Sequence, residues 1–177
     1  MSHITIIYES DYGNTQKMAE AIAEGAKSVP GTTVSLKQAE KVTADDMMKS
    51  DGVIIGTPVQ MGSMDHRVKT FIDTVCGGLW MGNKMVGKVG AVFVTGSGYG
   101  GGGAELTLLS LLNNLAELGM VIVPLPKNTN GYEYGGLQWG PPTADPPGFI
   151  WNRTASRMKA SQRPGIMAPM WPELRPP

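Results

Sequence analysis

Along the chain, wholly apolar or alternating runs of four to six residues take turns with stretches of helical period. Ile4-Thr5-Ile6-Ile7-Tyr8 predicts a first strand, apolar enough to be buried on both faces. Asn14 to Ser28 follows with Met18, Ile22 and Ala26 spaced four apart and Val29 closing the stripe, so it predicts a helix stopped by Pro30-Gly31. Thr32 to Lys37 alternates as a strand with Val34 and Leu36 inward, and Thr43-Ala44-Asp45-Asp46 has the form of a capped helix start leading to Met47 and Met48. Gly52-Val53-Ile54-Ile55-Gly56 predicts the third strand. A helix is expected from Asp65 to Cys76, with Val68, Phe71, Ile72 and Val75 on one face. A fourth strand falls within Val86 to Thr95, centred on Ala91 to Val94. A leucine-rich helix from Ala104 to Leu118 ends at Gly119, and Met120 to Val123 completes five strands.

Strands that alternate with helices predict βαβ units with right-handed crossovers, hence an α/β fold with an open, doubly wound parallel sheet. Ligands of such sheets bind beyond the carboxyl ends of the strands, where the strand order reverses. The loops after the first, third and fourth strands are therefore the candidate site.

After Leu125 the pattern dissolves. Nine of the 13 prolines lie in the last 37 residues, so that segment is expected to be mostly loop. A weak apolar set of Phe149, Ile150, Ala155 and Met158 leaves a last helix between Asp145 and Arg163 an open question. The expected division is a domain over residues 1–145 and a Pro/Met-rich tail over 146–177 that includes Trp151, Met167, Met170 and Trp171.

Charge narrows the partners: 15 Lys+Arg balance 15 Asp+Glu, without the basic excess that nucleic acid or an anionic membrane requires. Cys76 is the single cysteine and His3 and His66 the only histidines, which excludes an internal disulfide and argues against a thiolate metal site. Redox chemistry would need a bound organic cofactor. The first residues carry no basic leader, and no apolar run approaches the roughly 20 residues of a membrane helix. A soluble, cytoplasmic protein is the expectation.

The first loop is Glu9-Ser10-Asp11-Tyr12-Gly13-Asn14-Thr15, between a buried strand and a helix N-terminus. Free N–H groups and a partial positive charge there can hold a phosphate without Lys or Arg, and Ser10, Asn14 and Thr15 add donors. An ordinary helix cap explains the same residues. The loop from Thr95 to Gly103 holds six of the 24 glycines, which suits close approach of a planar ligand to the backbone and equally suits a surface loop. The loop from Thr57 to Met64 is stiffened by Pro58 and opened by Gly62, and Met61 and Met64 are either core fillers or a soft wall against an aromatic ring.

Two other motifs fail on context. Gly98 to Gly103 satisfies G-x-G-x-x-G but follows the fourth strand, and the next strand ends in Leu125-Pro126-Lys127 without an acidic residue for a ribose. Gly82 to Lys88 resembles a phosphate-binding P-loop, yet Val89 stands where magnesium needs a hydroxyl. There is no G-x-S-x-G elbow.

The run Ser10-Asp11-Tyr12-Gly13-Asn14-Thr15-Gln16-Lys17-Met18-Ala19 resembles the phosphate loop of flavodoxin-like proteins. Gly56-Thr57-Pro58, Gly62-Ser63-Met64, Lys69 to Asp73, Gly77-Gly78-Leu79-Trp80 and Gly119 to Pro124 are similar to the tryptophan-repressor-binding-protein (WrbA) type of that family. The resemblance spans roughly residues 3 to 125 and implies strand order 2-1-3-4-5 with FMN on the rim. It implies that Ser10, Asp11, Tyr12, Gly13, Asn14 and Thr15 form the phosphate loop. It further implies that Pro58, Val59, Gln60, Met61 and Gly62 flank the ring and ribityl chain, and that Thr95, Gly96, Ser97, Gly98, Tyr99, Gly100 and Gly101 close over the ring. Trp80 matches an aromatic lining the pocket where nicotinamide or quinone stacks; a helix-end anchor or an oligomer contact is its alternative role. Two departures stand out: Ala39 to Ser50 is too short for the WrbA type's extra segment, and Glu117-Leu118 replaces its histidine.

The resemblance implies an FMN-dependent NAD(P)H oxidoreductase that reduces a quinone-like acceptor, working as a homo-oligomer, dimer or tetramer. Flavin would carry the hydride while the protein supplies orientation and electrostatics. The alternative is a flavodoxin-type electron carrier; such carriers are typically acidic, and the balanced charge here favours the enzyme. A flavin-free interaction module is the third reading.

Overall fold

The computed structural model describes residues 1–97, 102–129, 132 and 137–145. A parallel sheet of β1 (Ser2–Tyr8), β2 (Thr32–Gln38), β3 (Gly52–Gln60), β5 (Val89–Ser97) and β6 (Val121–Ile122) runs in the order β2-β1-β3-β5-β6, the 2-1-3-4-5 order expected for five strands. Two short strands lie off this path: β4 (Ser63–Met64) folds back antiparallel on β3, and β7 (Pro142–Asp145) pairs parallel with β5.

The strand side chains alternate between two cores. Ile4, Ile6 and Tyr8 of β1 with Ile54, Ala91 and Phe93 face helix α1 (Asn14–Lys27). That helix presents Ala19, Ala23 and Ala26 around Ile22, so it lies close to the sheet. Ile7, Val53, Ile55, Val92 and Val94 face the opposite way, against helices α2 (Ala44–Lys49), α3 (His66–Phe71), α4 (Gly77–Met81) and α5 (Ala104–Glu117). Each large aliphatic side chain removed from water this way contributes about 1.5–3 kcal/mol. Leu125 and Tyr132 pack on the α1 side, and the tail over 146–177 lies outside the described residues.

Helix ends follow the sequence signals closely. Thr43 and Asp46 form a reciprocal capping box at α2, and Lys37 of β2 bonds Asp46 at 2.6 Å, holding that carboxyl down to about 2. At the end of α5, Gly119 takes φ +73°, its N–H bonds Ala116 and the N–H of Met120 bonds Leu115.

Four expectations need correction. The third strand is longer than Gly52 to Gly56, continuing through Pro58 to Gln60, because β5 pairs with it as far as Pro58↔Thr95. The fifth strand shrinks from Met120–Val123 to Val121–Ile122, paired only to Val89 and Gly90. Further along the same edge of β5, Val94 to Ser97 pairs with β7, in a Pro-rich segment expected to be loop. Edge strands tolerate proline, which is why Pro142 does not prevent it. The helix expected from Asp65 to Cys76 carries a π-helical turn at Ile72–Cys76 and extends through α4 to Met81.

Candidate functional site

The first and fourth crossovers begin alike. Both α1 and α5 are preceded by a left-handed glycine at the N-cap, Gly13 at φ +83° and Gly103 at φ +78°, and neither cap position supplies a side-chain hydrogen bond. A residue with a Cβ is disfavoured in this conformation, and both helices start at the sheet's carboxyl rim. Within the first loop the hydroxyl of Ser10 is buried and has no hydrogen-bond partner among the described residues. A buried donor of this kind ordinarily has a partner, so an orphan here fits an anion contact. Thr15 is fully buried and Tyr12 exposed.

The second loop is a tight hairpin. Val59 pairs with Met64 and Gln60 with Ser63, leaving Met61 and Gly62 as a two-residue turn with φ of +48° and +81°. The two methionines take opposite roles: Met64 is in the core, while Met61 projects fully into solvent at the tip. A non-glycine residue at positive φ is uncommon and here sits beside the candidate site.

All three loops meet. The Thr15 and Thr95 hydroxyls are 2.6 Å apart in a buried hydrogen bond that joins the first loop to the third. Gln60 donates to Asp11 at 2.9 Å, joining the second to the first. The third closes on the second at Gly103, where an added Cβ would lie 2.9 Å from the Gly62 Cα and 3.1 Å from Val59. The structure thus gathers Ser10, Asp11, Tyr12, Gly13, Asn14, Thr15, Pro58, Val59, Gln60, Met61, Gly62, Thr95, Gly96 and the backbone of Ser97 on one rim. Gly98, Tyr99, Gly100 and Gly101 lie outside the described residues.

Trp80 is not brought to that rim. The chain leaves the carboxyl end of β3, runs through α3, the π turn and α4, and starts β5 again at Val89 from the opposite end of the sheet. Trp80 is near the end of that descent, half exposed at 52%. Cys76 is buried in the core, and burial pushes its thiol up to about 12, so it is no nucleophile.

Spacing gave no signal for a charged cluster beneath the rim. Arg67, in the first turn of α3, faces three carboxylates: Asp65 through Nε at 2.9 Å and Nη2 at 2.8 Å, Asp11 through Nη2 at 2.6 Å, and Glu9 through Nη1 at 3.3 Å. Asp65 also caps α3 by accepting from the Arg67 N–H, and its own N–H donates to the Thr57 hydroxyl. The hydrogen bonds from Arg67 hold Asp65 below the usual carboxylate range. Burial pushes Glu9 up, against the opposing pull of Arg67. The only cue in the sequence was Glu9 at the end of a strand otherwise apolar on both faces.

The chain is an α/β protein with a doubly wound parallel sheet whose three loops meet beside the start of α1. The family described as Flavodoxin domain matches residues 5–80. A flavodoxin from Aquifex aeolicus (strain VF5) is 38% identical over 122 residues, which are 69% of this chain and 64% of that one. The chain thus spans less than two thirds of that relative's length. Among solved structures, a flavodoxin, WrbA-like protein from Agrobacterium tumefaciens superposes with TM-score 0.62 at 24% identity, covering 92% of this chain and 94% of that one. Flavodoxin 2 from Bacillus cereus superposes with TM-score 0.62 at 21% identity, covering 91% and 94%. The fold is flavodoxin-like, and residues 5–80 match the Flavodoxin domain family. FMN is the cofactor of that family, the group the resemblance implied. No helix among the described residues is long and apolar enough to cross a membrane.

Proposed function

We propose that the protein binds FMN at the carboxyl rim and serves as a flavodoxin-type electron-transfer protein. The observation that carries this reading is the buried Ser10 hydroxyl, without a hydrogen-bond partner among the described residues, in a loop that leads into the start of α1. A phosphate monoester would satisfy that hydroxyl and the first-turn N–H groups together. Ser10, Gly13, Asn14 and Thr15 would hold the phosphate. Val59, Gln60, Met61 and Gly62 would form one wall of the ring site, with Thr95, Gly96 and Ser97 closing it from β5. Bound FMN would supply reversible uptake and release of electrons; the chain's own residues bind it, orient it and keep water from its inner face.

The carrier reading is favoured over the NAD(P)H:quinone oxidoreductase for two reasons. Trp80, the residue expected to shape a nicotinamide or quinone pocket, is at the far end of the sheet within the chain. The zero net charge, which had favoured the enzyme, is also a sum of unlike parts: residues 1–145 hold 10 Lys+Arg against 14 Asp+Glu, and the last 32 residues hold 5 against 1. The flavin-binding part is therefore acidic, which suits docking to a basic redox partner. An oligomer remains compatible with either reading.

Aerobic and anaerobic turnover separates the two. FMN-loaded protein is expected to leave NADH and NADPH unconsumed with benzoquinone present, yet to pass electrons to cytochrome c once reduced with light and a sacrificial donor. Rapid NAD(P)H-dependent quinone reduction would restore the oxidoreductase.

A further inference from the structure

Ser10 is flanked by the two first-loop residues that Arg67 faces. Glu9 approaches Nη1 at 3.3 Å, Asp11 accepts from Nη2 at 2.6 Å, and Asp65 fixes the other side of the guanidinium to the start of α3. Three of the five guanidinium N–H groups are spent in hydrogen bonds to Asp65 and Asp11. The side chain is only 23% exposed, so this arrangement is part of the packed rim and not a loose surface pair. A fixed planar fork of donors suits such a role; a lysine would provide one point charge.

We infer that Arg67 is a positioning residue for the anion-binding loop: by holding the residues on either side of Ser10, it keeps the buried Ser10 hydroxyl free of local partners and set for a phosphate monoester. The assignment rests on the FMN reading above and adds a residue that acts through the loop. Arg67 is not the phosphate's counter-ion, because its guanidinium is already enclosed by carboxylates. The flavin ring, which would lie across the second and third loops, is outside its reach through Ser10.

Charge and position predict opposite signs at Asp11. Its carboxylate lies on the rim of an anion site, so on Coulomb grounds alone Asp11→Ala would tighten binding of a phosphate-bearing ligand. If the carboxylate instead anchors the loop to Arg67, the same substitution weakens it. Riboflavin, which has the ring and ribityl chain but no phosphate, reads the remainder of the site.

The experiment is a fluorescence titration of the apoprotein with FMN and with riboflavin, for wild type, Asp11→Ala and Arg67→Met, each checked by thermal unfolding. Asp11→Ala loses the hydrogen bonds from both Arg67 and Gln60 and is expected to weaken FMN at least about tenfold, and riboflavin, which feels only the freed Gln60, by clearly less. Arg67→Met leaves Glu9 and Asp65 without their cation and is expected to be less stable, so the exposed partner Asp11 carries the decision. Where the Arg67→Met protein folds, it should show the same selective loss. FMN binding that is unchanged or tighter in Asp11→Ala, or an equal loss for both flavins, overturns the assignment. Wild-type protein that takes up neither flavin overturns the FMN reading and the assignment with it.

Discussion

Thr15 and Thr95, 80 residues apart in the chain, meet through buried hydroxyls 2.6 Å apart and tie the start of α1 to the end of β5. Thr15→Val keeps the shape but leaves the Thr95 hydroxyl buried without a partner, at a cost of about 1–3 kcal/mol. The double change to valine is predicted to cost less than the sum of the single ones, since it removes both polar groups. Urea unfolding of the three variants measures this, and additive losses would show that the two hydroxyls do not act as a pair.

The two helix-capping glycines are predicted to differ. At Gly13 a Cβ would meet nothing within 4 Å, so Gly13→Ala incurs only the left-handed backbone penalty, roughly 1–2 kcal/mol. At Gly103 the same penalty is joined by a collision with the Gly62 backbone at 2.9 Å, so Gly103→Ala should cost more and should also displace the hairpin bearing Met61. Comparison of unfolding midpoints for the two variants tests the difference. Equal losses would mean that the third loop gives way without strain.

Glu9 should make stability depend on pH. Burial raises its pKa, so the folded chain holds that proton more tightly than the unfolded chain does. Stability from this group is therefore present at low pH and is lost as pH rises from the unfolded value through the higher folded value. Glu9→Gln removes the buried charge while Arg67 keeps Asp65 and Asp11, and is predicted to raise the urea midpoint at pH 7 and to lose that advantage toward pH 4. A midpoint difference that does not vary with pH would contradict this origin.

Trp80→Ala is predicted to leave FMN affinity within about twofold, because within the chain the residue is at the opposite end of the sheet from the three loops, and to alter stability little at 52% exposure. A large loss of FMN affinity in a titration would mean that Trp80 reaches a rim by way of another copy of the chain.

Much of this was legible in the sequence because the signals are local. The apolar runs at Ile4 to Tyr8 and Gly52 to Ile55, the Thr43–Asp46 capping pair and the stop at Gly119 each rest on residues a few positions apart. The first loop was legible as a candidate anion site for the same reason, as a strand end followed by short donors and a glycine. What escaped depends on pairing across long separations. β7 forms because β5 offers an open edge beyond Ile122, which Pro141-Pro142 does not announce. Arg67 belongs to the rim only because the fold brings residues 9, 11 and 65 to it. The place of Trp80 was not legible either: a motif match carries no information on which end of the sheet its helix reaches.

The rim built from the loops at Ser10, Gln60 and Thr95 is proposed to take FMN. Titration of the apoprotein with FMN, followed by quenching of flavin fluorescence, tests it most directly. One FMN per chain is predicted, bound saturably and competed by inorganic phosphate, and Ser10→Ala with Thr15→Val should weaken it markedly while the fold persists. No saturable FMN binding by folded wild-type protein, or binding that the double variant leaves unchanged, would contradict the account.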